Sequence, residues 1–341
     1  MNEYPMTTKL IEVRVEDAIG LRLAHDLTQI VPGHFKGRLF KKGHVIKEAD
    51  IPMLLDIGKE HIYIMQLGKE ELHEDDAAQR MAAALAGEGI VQNEPHEGKV
   101  SLHSDRSGLI EIDNNVINAI NRLGDIALAT VKPYTVIKAG QQLAATRVIP
   151  LYVPTQKVVD VERIVADYRA EHDGQSPIQI KTFKKFRIGL LITGGEVFSG
   201  RIVDKFGPVV RNKVAAFGSE VIEQRFVPDD RHTIVKEIHY LLEAGYDMIL
   251  VTGGMSVDPD DRTPGAIKDA GTDIISYGTP MLPGSMLLMG YLDSVPILGL
   301  PGCVMYDPYT SFDVLLPRIL AGDIITREDI VTMGCGGLIN G

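Results

Sequence analysis

Two short stretches carry the residue types from which a chemical site could be built. The first, Val251 to Gly265, reads VTGGMSVDPDDRTPG. Gly253 and Gly254 leave backbone N–H groups uncovered, and Asp258, Asp260 and Asp261 gather negative charge within four residues. Carboxylates that close repel one another unless water, hydrogen-bond donors or a cation offsets them. Mg²⁺ is commonly held by one or two carboxylates together with substrate phosphates. Bare backbone beside aspartates therefore suits an ion-bridged phosphate, and a well-solvated loop is the alternative.

The second stretch, Ile192 to Asp204, reads ITGGEVFSGRIVD. Thr193 closes an apolar run, and Gly194 and Gly195 expose N–H groups at the approach to a helix, where unpaired donors and the helix dipole favour anions. A tight turn that needs glycine only for its dihedral angles is the competing reading. No Gly-Lys-Ser/Thr supports a P-loop, and no Gly-x-Gly-x-x-Gly supports a dinucleotide fold. Glu196 and Asp204 flank the start of the following helix, where a carboxylate can also simply stabilise the first turn by ~0.3–1 kcal/mol. Pro283-Gly284 and Pro301-Gly302 each make a stiff turn, the latter between the strand-like VPILGL and a helix expected from about Tyr306. Cys303 follows at once; with no histidine nearby in sequence, it reads as a packed, unreactive thiol rather than a thiolate at a helix start.

The elements that must position these residues follow from their pattern. IGLLIT and DMILVT are continuous apolar runs, as expected of strands buried on both faces. Between them Val203, Phe206, Val210, Val214 and Phe217 recur at helical spacing, then SEVIEQRFV reads as a strand and RHTIVKEIHYLLEAG as a helix. Thr263 and Pro264 suit an N-cap and first helical residue. Strands alternating with helices predict an α/β layered domain with a largely parallel sheet, whose ligands lie beyond the carboxyl ends of the strands. The upstream half differs. KLIEVRV, GRLFKKGHVI and HIYIM are β-like around a short helix in EADIPMLLDIG, and Glu74 to Ala86 is an Ala-rich helix stopped at Gly87. A β-rich run to Val153 and a helix over 158–171 lead to the linker HDGQSP. The expected divisions are 1–70, a small mixed α/β region; 71–175, a helix with a β-rich module and linker helix; 181–325, the α/β domain; and 326–341, a tail.

Composition sets outer limits. The 341 residues suffice for two or three domains, and 45% hydrophobic with 24% charged residues is ordinary for a folded globular protein. Acidic residues outnumber basic ones 46 to 35, for a formal charge of -11, so nucleic acid is not an expected partner. The one basic cluster, KTFKKFR, reads as a solvated approach to a strand. Two cysteines exclude a disulfide framework or a multi-cysteine zinc site. No apolar run approaches the ~18 residues of a membrane span. A soluble, cytoplasmic protein is expected.

TGGEV…GRIVD, GSEVIEQRFVPDD, YDMILVTGGMSVDPDDRTPGAI, PGS and GLPG, in this order, resemble the molybdopterin-binding domain shared by molybdopterin adenylyltransferases, molybdopterin molybdenumtransferases and the C-terminal domain of gephyrin, over roughly Phe186 to Gly322. The resemblance implies a three-layer α/β domain with molybdopterin, free or adenylylated, as cofactor-like substrate, and molybdate insertion with Mg²⁺. By similarity Thr193, Gly194 and Gly195 form the first phosphate-side turn, Gly253, Gly254 and Ser256 the second, and Pro283, Gly284, Pro301 and Gly302 the pterin-side turns. Glu196, Asp204 and Asp261 take the catalytic positions, with Asp204, Asp258 and Asp261 as metal ligands. It also implies a homo-oligomer, a pterin cofactor intermediate as partner, and a molybdoenzyme or another cofactor-biosynthesis protein as recipient. VEDAIGLRLAHDLT resembles the opening helix and strand of the molybdenumtransferases, whose Met-Asp-Gly-Tyr-Ala segment has no counterpart here. Gly195 stands where the transferases usually have aspartate, and Ser285-Met286 and Cys303-Val304 replace their usual Lys-Pro and Asn-Pro. A non-catalytic carrier or sensor of the cofactor is a second reading. A third is a nucleotide pyrophosphatase, since GGMSVDPDDRTPGAI also resembles the competence-damage-inducible family.

Overall fold

Residues 9–31, 35–66, 68, 70–96, 98–255 and 262–339 are described by a computed structural model. Ser256, Asp258, Asp260 and Asp261 lie outside the described residues. The chain divides into two units: one runs up to residue 106 and takes in 111–133 and 138–180, and the other comprises 107–110, 134–137 and the chain from 181 onward.

The N-terminal unit begins with β1 (Lys9–Arg14), β2 (Arg22–Leu23), β3 (Leu27–Val31), β4 (Phe35–Phe40), α1 (Ile51–Asp56) and β5 (His61–Gln66). β5 pairs antiparallel with β1 and β2, and β3 with β4. Val15, Leu23, Leu54, Ile62 and Ile64 meet in a small core. Next come β6 (Glu71–His73), α2 (Glu74–Leu85), β7 (Ile90–Gln92), β8 (Lys99–Ser104), β9 (Gly108–Ile112), α3 (Asn114–Asn121), β10 (Ile126–Thr130), β11 (Val136–Ile137), β12 (Gln142–Val148), β13 (Tyr152–Pro154), α4 (Thr155–Glu171) and β14 (Ile178–Lys181). β10, β12, β8 and β7 form an antiparallel sheet in that order. α2 lies on β12 and β8, burying Ala77, Ala78, Met81, Ala82 and Leu85. Three alanines in that stripe let helix and sheet approach closely, which is why so Ala-rich a run is buried here. β9 and β11 pair with each other through Leu109 and Val136, within the second unit.

The C-terminal unit contains β15 (Arg187–Thr193), α5 (Gly195–Phe198), α6 (Phe206–Ala215), β16 (Glu220–Val227), α7 (Arg231–Glu243), β17 (Met248–Thr252), α8 (Thr263–Asp269), β18 (Asp273–Tyr277), β19 (Leu288–Leu292), β20 (Val295–Leu300), α9 (Ser311–Leu320) and α10 (Arg327–Thr332). Its six strands run in the order β16-β15-β17-β20-β19-β18. The first four are mutually parallel, and β19 alone runs the other way, pairing antiparallel with both β20 and β18. Alternate residues of each central strand enter opposite cores. Ile188, Leu190 and Ile192 of β15, with Met248 and Leu250 of β17, meet Val210 and Val214 of α6 and Phe312 and Leu315 of α9. Leu191, Ile249 and Val251 meet Ile234 and Ile238 of α7 and Ile267 of α8. At roughly 1.5–3 kcal/mol for each fully buried large aliphatic side chain, both faces must be covered. The unit is therefore the expected three-layer α/β domain with a largely parallel sheet.

Three local expectations are corrected. α6 starts at Phe206, and Val203 stays outside it at 82% exposure. The reason is Asp204, whose Oδ1 accepts the N–H groups of Phe206 at 2.8 Å and Gly207 at 3.1 Å and so fixes the helix start. The helix expected from about Tyr306 begins instead at Ser311, after a single 3₁₀ turn over Gly302–Met305. Pro308 steers the residue before it away from helical angles, and Thr310 with Asp313 forms a capping box, the Thr310 N–H donating to Asp313 Oδ2 at 2.8 Å. Thr263 is no side-chain cap, because its buried hydroxyl lies 3.0 Å from that of Thr193.

Candidate functional site at the carboxyl ends of the sheet

β15, β17 and β20 run parallel and end side by side at Thr193, Thr252 and Leu300. Each is followed by a glycine-containing turn. The backbone of Gly253 has φ +92°, and a Cβ there would collide with the Thr193 carbonyl oxygen and lie 2.7 Å from Thr193 Oγ1. Only glycine lets these two strand ends come so close. Two cavities open over the strand ends, of about 520 and 290 Å³, and both are lined by Phe206 and Gly253.

The larger cavity brings together Gly253, Gly254, Pro283, Gly284, Pro301 and Gly302, all six singled out in the sequence. The Pro283-Gly284 turn is pinned from behind. Gly284 has φ +119°, its carbonyl accepts hydrogen bonds from Thr279 at 2.9 Å and Ser311 at 2.7 Å, and a Cβ would lie 2.6 Å from Ser311 N. At Gly302, by contrast, a Cβ would meet nothing within 4 Å. A methyl there would occupy open space beside the cavity rather than strain the chain.

The smaller cavity holds Thr193 and Asp204. Asp204 is engaged on both oxygens: besides the α6 N–H groups, its Oδ2 accepts from Gln224 Nε2 at 2.8 Å. The Gly207 N–H also reaches Oδ2 at 3.1 Å, so the roughly four lone-pair sites of the carboxylate are all engaged, and a cation bound here would have to displace one of these donors. Gly194, Gly195 and Glu196 line neither cavity; Glu196 is exposed on the short α5, and Cβ atoms on both glycines would meet open space. Asp258, Asp261 and Ser256 fall outside the described residues, and among those described no three acidic, histidine or cysteine side chains gather to hold a metal ion.

Several functional candidates escape sequence reasoning. Thr252 is fully buried and lines the smaller cavity, and its Oγ1 has no hydrogen-bond partner among the described residues. An orphaned buried hydroxyl costs about 1–3 kcal/mol, and a polar ligand atom would relieve it. Gly207 and Gln224 hold Asp204 in place: a Cβ on Gly207 would lie 2.5 Å from both Asp204 Oδ2 and Gln224 Oε1. Phe206 forms a common wall of the two cavities, and Met255, Met286 and Cys303 add soft apolar surface to the larger one. Burial pushes the Cys303 thiol up, and Asp307 adds to the effect, so the group lines the cavity as a neutral thiol. Neither Thr252 nor Phe206 departs from what a strand end or a helix face normally carries, so no local signal marks them.

The arrangement is that of an α/β nucleotide- or cofactor-binding domain: a largely parallel sheet, glycine turns at its carboxyl ends, and two mainly apolar cavities that share lining residues, the smaller carrying Thr193, Thr252 and Asp204. Residues 189–321 match the family described as "Probable molybdopterin binding domain", which is the family the ordered motifs resemble. Residues 12–66 match a domain of unknown function, DUF8806. A CinA-like protein from Mycobacterium avium is 32% identical over 77 residues, covering 23% of this chain and 18% of that protein. A molybdopterin molybdenumtransferase from Staphylococcus aureus is 25% identical over 131 residues, 36% of this chain and 31% of that protein. The chain thus spans less than a third of the length of either relative. Among solved structures, the molybdopterin biosynthesis enzyme MoaB from Thermus thermophilus aligns at 25% identity and a TM-score of 0.33, covering 40% of this chain and 98% of that one.

Proposed function

We propose that the C-terminal unit binds molybdopterin, in its free or adenylylated form, and that the protein acts in molybdenum cofactor biosynthesis by inserting molybdate in a Mg²⁺-dependent step. The observation that carries this reading is the convergence of Gly253-Gly254, Pro283-Gly284 and Pro301-Gly302 on one cavity that shares Phe206 and Gly253 with the smaller cavity holding Thr193, Thr252 and Asp204. The larger, mainly apolar cavity suits the pterin ring. Backbone N–H groups after β17 suit its phosphate, and the orphaned Thr252 hydroxyl supplies a further donor. These groups position the anionic ends of the two substrates and offset their mutual repulsion as they approach.

Mg²⁺ would be held by Asp204, with Asp258 and Asp261 carried over from the resemblance; when bound it would neutralise charge shared by phosphate and molybdate. The resemblance further assigns Glu196 the orientation of a donor or water and Gly194, Gly195 and Ser256 the two phosphate-side turns, although residues 194–196 line neither cavity. A homo-oligomer working in the cytoplasm, handing cofactor to a molybdoenzyme or another biosynthetic protein, completes the proposal. No helix among the described residues is long and apolar enough to cross a membrane.

The test is turnover by the full chain of adenylylated molybdopterin with Mg²⁺, with and without molybdate, following AMP by chromatography. Release that requires molybdate supports insertion. The 77-residue match to a CinA-like protein favours one second reading, pyrophosphate hydrolysis, which predicts release without molybdate. Tight binding with no release in either condition overturns both and leaves the carrier.

A further inference from the structure

We propose that the N-terminal unit holds a second ligand site, for a small phosphomonoester of nucleotide size, in a cavity of about 810 Å³ at the start of α2. The site lies in the other unit from the pterin cavities and does not depend on their reading. Half of its wall, Asp26 and residues 38–44, comes from the segment that matches DUF8806.

Charge is the first observation. In a chain of net charge -11, Arg38, Lys41, Lys42 and Arg147 face one cavity, against Asp26, Glu74 and Asp75. Asp26 is already satisfied: it accepts from the Lys42 backbone N–H at 2.7 Å and from Arg38 at 3.1 Å, which hold it below the usual carboxylate range. Asp75 accepts the Gly98 N–H at 2.9 Å, and both it and Glu74 sit in the first turn of the twelve-residue α2, where the helix dipole offsets negative charge. Lys41 reaches His96 Nε2 at 3.1 Å with one of its three protons. The Lys42 ammonium has no acceptor among the described residues, and Arg147 makes only a long 3.4 Å contact from Nε to the Val148 carbonyl. The terminal nitrogens of Arg147 are therefore a fork, and the Lys42 ammonium a point charge, open to an incoming anion.

A second, independent observation comes from His73, which is 1% exposed. Its Nδ1 accepts the Asp75 N–H at 3.2 Å, so the ring proton resides on Nε2, and this buried donor has no partner among the described residues. Gly43 lines the cavity, and a Cβ there would lie 2.8 Å from His73 Nε2. The orphaned donor thus packs against Gly43, which itself lines the cavity. Pro95, Ile149 and Leu151 add apolar surface to the same cavity. Cations and apolar surface lining one cavity, with a volume inside the roughly 300–1,000 Å³ typical of small-molecule sites, suit a compact ring-bearing body with one phosphate.

Calorimetric titration of the full chain with AMP, inorganic phosphate and adenosine tests this. The expected result is binding of AMP that weakens with rising salt, weaker binding of phosphate and none of adenosine. Lys42→Ala and Arg147→Ala are both at exposed positions that leave the fold intact, and each should weaken AMP at least tenfold, with Arg147→Lys recovering only part. AMP taken up by the C-terminal unit would be untouched by either change. Unaltered affinity in the double variant, or no heat from AMP or phosphate at millimolar concentration, overturns the proposal.

Discussion

Asp204 is the residue at which structure and chemistry can be told apart. Its carboxylate caps α6 and receives Gln224, yet it also lines the smaller cavity where a cation is proposed. Asparagine caps helices nearly as well as aspartate, so Asp204→Asn should keep the melting temperature within a few degrees while abolishing the Mg²⁺-dependent step. A large loss of stability with turnover intact would make Asp204 a cap and nothing more. Gly253 predicts the converse. Gly253→Ala places a Cβ against the Thr193 carbonyl at φ +92°, and should cost on the order of 1–3 kcal/mol in urea unfolding together with ligand binding. Unchanged stability there would mean the strand ends have more freedom than their spacing shows.

At the scale of elements, what was legible was whatever burial on two faces writes into a continuous run. IGLLIT and DMILVT announce the central strands because neither face offers a place for a polar side chain, and the Pro-Gly turns announce themselves by dihedral demand. What stayed hidden depended on partners far along the chain. Thr263 reads as a helix cap until Thr193, seventy residues earlier, claims its hydroxyl. Thr252 looks like any strand terminus until its burial leaves the hydroxyl orphaned. Three cations of the N-terminal cavity, Arg38, Lys41 and Lys42, lie close together in GRLFKKGH, but the fourth, Arg147, comes from about a hundred residues on, so the sequence does not show that they share one cavity. The start of α9 shifted because the Thr310-Asp313 box outweighs the turn after Gly302. One element-level consequence concerns Arg318 of α9, nearly buried, which reaches Asp323 at 3.1 Å and Asp329 at 2.7 Å beneath the Tyr134 ring. Arg318→Met takes the cation from Asp329, while Asp323 keeps Lys181 at 3.0 Å, and should cost roughly 1–3 kcal/mol. A change under about 1 kcal/mol in chemical denaturation would contradict the account of this corner.

For the whole molecule, acid stability follows from His73. Burial, with Arg22 adding to it, holds its pKa below the ordinary value of about 6.5. A group whose folded pKa is depressed contributes stability that is complete above the unfolded pKa and is lost as pH falls through the window down to the folded value. Below about 6.5 the unfolded chain takes up this proton first, so the N-terminal unit should weaken by at most ~1.4 kcal/mol per pH unit from this group. His73→Asn keeps an acceptor for the Asp75 N–H and removes the titration. Its urea midpoint should therefore fall less between pH 6.5 and 5 than that of the unaltered chain, and parallel curves would show that His73 is not the group responsible.

The central claim is that a pterin phosphate sits over the ends of β17 and β20. The most direct measurement is equilibrium binding of molybdopterin to Gly302→Ala beside the unaltered chain, with melting temperatures recorded on the same samples. The added methyl meets no protein atom within 4 Å, so the account predicts the same melting temperature and at least tenfold weaker binding. Equal affinity for the two proteins would place the ligand elsewhere and contradict the site.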